Sequence, residues 1–171
     1  MANKELKKLV VYYSLEGNTK MIAEAISKEI RSDILELKPK KDIEVNGPMR
    51  YLKGGKQVVT KEKPELTPYN INPEEYEVLF IGTPVWAWNF TPAIRTFFSK
   101  TNLSGKKIAL FSCNGGQNGK TFENMKKHLE GNEFLGEIEF RDPLKNDTEK
   151  NIEVVKNWAK KIILSLWCVA L

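Results

Sequence analysis

Three short stretches of this chain carry residue types suited to holding an anion and a flat aromatic group. Residues 14–19 read SLEGNT, residues 83–90 read TPVWAWNF, and residues 112–119 read SCNGGQNG. The first sits where an amphipathic helix must begin, and unpaired backbone N–H groups together with the helix dipole favour an anion there. Gly17 can take a positive φ and let the chain wrap closely. Ser14, Asn18 and Thr19 can add side-chain donors. The plainer alternative is that Asn18 or Thr19 only caps the helix. Glu16 is the awkward member, because a carboxylate desolvated against an anion is strongly unfavourable. It is tolerable if its side chain turns to water while its backbone N–H still donates.

The elements that must position these stretches are read from hydrophobic period. Continuous or alternating apolar runs predict strands at 6–13 (LKKLVVYY), 33–37 (DILEL), 77–82 (EVLFIG), 107–112 (KIALFS) and 136–140 (GEIEF). Helical spacing predicts helices at 18–31, 91–100, with Pro92 in the first turn, and 120–130. A last helix is predicted from a Thr148 cap, with Ile152, Val155, Trp158, Ala159, Ile162 and Leu166 on one face. Residues 38–73 are rich in proline, glycine and lysine and predict loops around one short helix near 48–58. Strands alternating with helices imply parallel pairing through right-handed crossovers. In such a sheet ligands sit beyond the carboxyl ends of the strands, and the three stretches directly follow the first, third and fourth.

Composition narrows the function classes. The 171 residues are 41% hydrophobic and 29% charged, as expected for a single globular domain over 1–171. The formal charge is +5, but the lysines occur as scattered pairs among glutamates, which predicts a solvated surface and not a nucleic-acid stripe. The longest apolar run, 162–171, is too short to cross a bilayer, and the first residues do not form a signal peptide, so no membrane role and a cytoplasmic setting are expected. Cys113 and Cys168 lack CxxC spacing, and with the single His128 they offer no metal set.

Three further features could carry chemistry. NGGQNGKT at 114–121 nearly matches the GxxxxGK[ST] phosphate loop, with Asn114 in place of the first glycine. Cys113 could be a nucleophile, but no histidine is paired with it in the sequence. His128, beside Lys126 and Lys127, reads as a solvated helix residue.

Taken in order along the chain, the three stretches resemble the flavodoxin family. SLEGNT resembles its phosphate loop, FIGTPVWAWNFTPAIRTFF its third strand, flavin-ring loop and following helix, and ALFSCNGGQNGKT its last ring-facing loop. The resemblance implies an α/β flavodoxin-like three-layer sandwich with a five-stranded parallel sheet of order 2-1-3-4-5 and one bound flavin mononucleotide (FMN). It implies that Ser14, Leu15, Glu16, Gly17, Asn18 and Thr19 hold the phosphate. It further implies that Thr83, Pro84, Val85, Trp86 and Ala87 line the ring, with Trp86 stacking on it, and that Cys113, Asn114, Gly115 and Gly116 close its pyrimidine side. Glu16 stands where the family pattern often has a hydroxyl residue. The ring loop contains no glycine, so a peptide flip within it is disfavoured.

Such a flavin could serve electron transfer with a redox partner protein or small-molecule acceptor, an NAD(P)H-dependent flavin or quinone reductase, or a non-catalytic flavin-binding regulator. Carrier flavodoxins are usually acidic, whereas this chain has a pI near 9.1. Residues 38–73 could supply a partner surface, a homodimer contact or a wall for a small substrate.

Overall fold

A computed structural model describes residues 6–44 and 49–168, apart from the side chains of Arg50, Tyr51 and Cys168. Pro48, where the short second helix was expected to start, and the last three residues of the apolar run 162–171 lie outside the described residues. The elements alternate as β1 (Lys8–Tyr12), α1 (Asn18–Ile30), β2 (Asp33–Glu36), α2 (Met49–Val59), β3 (Val78–Pro84), α3 (Pro92–Lys100), β4 (Lys107–Asn114), α4 (Thr121–His128), β5 (Glu133–Arg141) and α5 (Thr148–Cys168). All neighbouring strands pair in parallel, in the order β2-β1-β3-β4-β5. This is the expected three-layer sandwich, and the order reverses direction at β1 and β3.

Two apolar layers hold it together. Leu9, Val11 and Tyr13 point to one face with Leu79, Ile81, Ile108 and Leu110, where α3 and α4 cover them with Ile94, Phe97, Phe122 and Met125. Val10 and Tyr12 point to the other with Val78, Phe80, Ala109 and Phe111, under Ile22 and Ile26 of α1 and Val155, Ala159 and Ile162 of α5. The central strands are buried on both sides, which is why they read as unbroken apolar runs. Burial this complete stabilises each large side chain by about 1.5–3 kcal/mol.

Three departures from the sequence reading have local causes. β5 begins at Glu133, earlier than the alternation at 136–140 suggested. Opposite the Ile108/Ala109 step it skips Leu135, so Phe134 and Gly136 face consecutive residues of β4. That irregularity breaks the period-2 pattern. Thr148 does not cap α5: its hydroxyl donates to Pro143 O at 2.9 Å, and Asp147 O accepts the first-turn N–H of Asn151 at 2.9 Å. Finally, the excursion from β2 to β3 is pinched at its base. Pro39 and Leu66 form an antiparallel bridge, flanked by Lys40 N–H to Glu65 O at 2.8 Å and Thr67 N–H to Lys38 O at 2.7 Å. An ion pair between Lys40 and Glu65 reinforces the neck.

Candidate functional site

Helix α1 starts without a side-chain cap. Gly17 is the N-cap at φ 92°, a left-handed conformation that favours glycine, and its N–H donates to Ser14 Oγ at 3.1 Å. Neither Asn18 nor Thr19 does the capping. Asn18 Oδ1 accepts the Leu144 N–H at 3.0 Å, tying this loop to the turn after β5. Thr19 is 1% exposed and its hydroxyl has no hydrogen-bond partner. The nearby Cys113 thiol interacts with it weakly, short of hydrogen-bond geometry. Glu16 lies at the surface, as the sequence required of it.

The loop after β3 is fixed at both ends by Thr83. Its hydroxyl donates to Pro84 O at 2.8 Å, lies 3.2 Å from Thr91 Oγ1 and accepts the Thr91 N–H at 3.1 Å. Between these ends Trp86 and Asn89 exchange two backbone hydrogen bonds of 2.9 and 3.0 Å. The two residues they enclose, Ala87 at φ 47° and Trp88 at φ 58°, are both left-handed. That is the primed two-residue hairpin turn, built without glycine at about 1 kcal/mol or more of strain per residue. The absence of glycine from this loop thus does not keep its backbone out of the left-handed region. Contacts to α4's leading loop hold the turn: Lys120 N–H donates to Trp88 O at 3.2 Å, and Gly119 sits so close that a Cβ there would lie 2.5 Å from Trp88 Cβ.

The two tryptophans separate sharply. Trp88 is 66% exposed. Trp86 is clamped: Tyr13 meets its ring edge-on at a centroid distance of 5.6 Å and 88°. A Cβ placed on Gly54 of α2 would also lie 3.2–3.6 Å from three atoms of its six-membered ring. The Tyr13 hydroxyl is itself anchored, donating to Asp42 Oδ1 at 2.8 Å. Part of Trp86's ring surface is thus already taken by α2.

Beyond β4, Cys113 O accepts the Val85 N–H at 2.9 Å and Asn114 O accepts the Asp142 N–H at 2.8 Å. Asn114 Nδ2 donates to Glu139 at 3.0 Å, but its Oδ1 is buried without a partner. Burial pushes the Cys113 thiol up to about 12, with the Asp142 charge adding to the rise. It is neutral at physiological pH and no nucleophile. The nucleotide-hydrolase reading of 114–121 also falls away, since Thr121 Oγ1 donates to Asn118 O at 2.6 Å and Gly119 serves the Trp88 turn. His128 is exposed on α4, as expected, but it also has partners. Its Nε2 lies 3.2 Å from Arg95 NH1 and its Nδ1 2.9 Å from Asn124 O, beside Phe90. Among the described residues no cluster of His, Cys, Asp and Glu could hold a metal, and no helix is long and apolar enough to cross a membrane.

The three loops converge on one cavity of about 460 Å³. Its wall contains Ser14, Leu15, Glu16, Asn18, Thr19, Pro84, Val85, Trp86, Ala87, Cys113, Asn114 and Gly115. Gly17, Thr83 and Gly116 stay off it. Gly17 packs toward Leu144, Thr83 pins the loop from within the core, and Gly116 faces a neighbouring groove with Asn118 and Gly119. The wall also includes Gly54 and Gly55 of α2, and Asp142 and Lys145 from the turn after β5. The glycine pair had a readable signal, since adjacent glycines inside a helix are unfavourable unless backbone must come close. Asp142 and Lys145 had none.

Comparison with known proteins agrees with this geometry. A flavoprotein of Lactobacillus acidophilus NCFM, crystallised in complex with FMN, is 27% identical over 84% of this chain and 98% of that chain, with a TM-score of 0.69. A protein of Bacteroides eggerthii DSM 20697 is 22% identical over 93% of this chain and 99% of that one (TM-score 0.76). A flavodoxin from the domain Archaea is 19% identical over 92% and 99% (TM-score 0.56). The last two share the fold. The sequence model of the flavodoxin family matches residues 7–162, spanning every strand and the cavity between them, so the chain belongs to the flavodoxin family.

Proposed function

We propose that this protein is an electron-transfer flavoprotein that carries FMN in the cavity formed by the loops after β1, β3 and β4. Family membership and the FMN complex of the Lactobacillus relative support the cofactor. The observation that carries the site assignment is a pair of orphans. Thr19 Oγ1 at the start of α1 and Asn114 Oδ1 at the end of β4 are buried polar atoms without partners, on the wall of one cavity. Leaving such atoms unpaired costs about 1–3 kcal/mol each, so a ligand offering complementary groups is stabilised there. A volume near 460 Å³ is in the range of small-molecule sites.

Bound FMN supplies transfer of one or two electrons; the chain supplies binding, orientation and electrostatics. Ser14, its oxygen already accepting from Gly17, keeps its own proton to donate toward a phosphate beside the first-turn N–H groups of α1. Pro84, Val85, Trp86 and Ala87 give an apolar wall that excludes water from the ring. Cys113, held neutral, adds bulk without charge next to that wall. The charge of +5 favours an acidic redox partner through electrostatic steering.

Fluorescence titration with FMN, riboflavin and the adenine dinucleotide tests the site. FMN is expected to bind tightest, and riboflavin binding as tightly as FMN would remove residues 14–19 from phosphate binding. Rapid consumption of NADH or NADPH by the loaded protein would replace electron carriage with a reductase.

A further inference from the structure

The cavity wall poses an electrostatic problem. Two of its charged side chains, Glu16 and Asp142, are carboxylates, yet the first loop is built to receive an anion. Lys145 is the cation on that wall among the described residues. The turn bearing Lys145 is stapled to the anion-facing loop. Leu144 N–H donates to Asn18 Oδ1 at 3.0 Å, and Leu144 Cδ1 lies 3.3 Å from where a Cβ on Gly17 would be. Lys145 N–H donates back to Asp142 O at 2.8 Å, which closes the turn with Asp142 at φ 40°. The unpartnered, buried Thr19 hydroxyl marks the same loop as incomplete without a ligand.

We propose that Lys145 is an anion-binding residue that supplies a countercharge for a phosphate monoester held by residues 14–19, on the wall it shares with them. This rests on the FMN reading of the cavity. An ammonium on a flexible four-carbon stem can follow a phosphate at the mouth without fixing its orientation, which the loop's N–H and hydroxyl groups do. Selectivity for a phosphorylated ligand then depends on a residue remote in sequence from the phosphate loop, and because Lys145 is exposed, the selectivity weakens as salt rises.

The test measures dissociation constants for FMN and riboflavin in wild type, Lys145→Gln, Lys145→Arg, Glu16→Gln and Thr19→Val, at low and high ionic strength. Lys145→Gln is expected to weaken FMN on the order of tenfold at low salt, as for loss of a charge-assisted hydrogen bond. Riboflavin should be unaffected, Lys145→Arg should recover most of the loss, the gap should narrow at high salt, and Glu16→Gln should tighten FMN. Unchanged FMN affinity in Lys145→Gln, with Thr19→Val weakened, overturns the role of Lys145 and leaves the phosphate loop standing. Equal losses for FMN and riboflavin overturn it too, as a structural effect. Wild type that does not distinguish the two flavins overturns both this inference and the phosphate loop.

Discussion

Adjacent glycines in α2 allow the contact between that helix and Trp86 to be weighed against helix propensity. Glycine inside a helix costs about 1 kcal/mol relative to alanine. At Gly55 an added Cβ meets nothing within 4 Å. Gly55→Ala in the flavin-free protein should therefore gain about 0.5–1 kcal/mol and raise Tm by about 1–4 °C for a domain of this size. At Gly54 the same methyl arrives 3.2 Å from Trp86 Cε3 and 3.4 Å from Cδ2. The Tyr13 ring, in T-shaped contact with the indole at a centroid distance of 5.6 Å, limits how freely it can shift. Overpacking of this kind costs about 1–3 kcal/mol, enough to cancel or reverse the propensity gain. Gly54→Ala is thus expected to be less stable than Gly55→Ala by that amount, with altered tryptophan emission. Denaturant unfolding of the two flavin-free variants measures the difference directly. Equal stabilisation by both substitutions would refute the clamp on Trp86, and loss of stability in Gly55→Ala would refute the open helical geometry of α2.

Gly82→Ala should be far more damaging, by about 3 kcal/mol or more on the denaturant midpoint, because its Cβ would fall 2.1 Å from two atoms of the Phe111 ring in the core. Trp86→Ala should weaken FMN binding and brighten the bound flavin by removing an aromatic wall worth about 0.5–1.5 kcal/mol, and Trp88→Ala should do less. Equal, negligible effects in titrations would take tryptophan out of the ring site. In a Cys168→Ser background, Cys113 should label with iodoacetamide about a thousandfold more slowly at pH 8 than an ordinary thiol, since its pKa is pushed from 9.0 up to about 12. The sign for stability follows: the unfolded thiol loses its proton first, so this contribution is full below pH 9 and is lost as pH rises toward 12. Pulse labelling and pH-dependent unfolding check the two halves.

Much of this architecture was legible because the central strands are buried on both faces and leave unbroken runs such as VLFIG. The positions of the three loops followed from the strands before them. What escaped the sequence depended on tertiary placement. The β5 start at Glu133 was hidden because 133–135 lie on an edge strand with one solvent-facing side and an irregular register. Asp142 and Lys145 reach the cavity only because the turn after β5 is brought against the start of α1, which no local pattern encodes. Thr83 was assigned to the ring site on its position next to Pro84, whereas its side chain turns inward to Thr91. The positive φ of Ala87 and Trp88 contradicted local propensity outright, and it is sustained by packing on Gly119.

The pinched base of the excursion between β2 and β3 gives the chain a modular character. Where Pro39 pairs with Leu66, the two ends of a long segment come within the ordinary spacing of paired strands, about 5 Å. To the sheet, everything between them counts as one tight connection. Changes of length or sequence inside the neck can therefore leave β1, β3 and the loops that follow them in register. Yet this same segment delivers α2, and with it Gly54 and Gly55, to the cavity wall. One interchangeable piece can reshape what enters the cavity while the frame of the sheet stays as it is, so variation in cavity shape and constancy of fold are assigned to different stretches of a single chain.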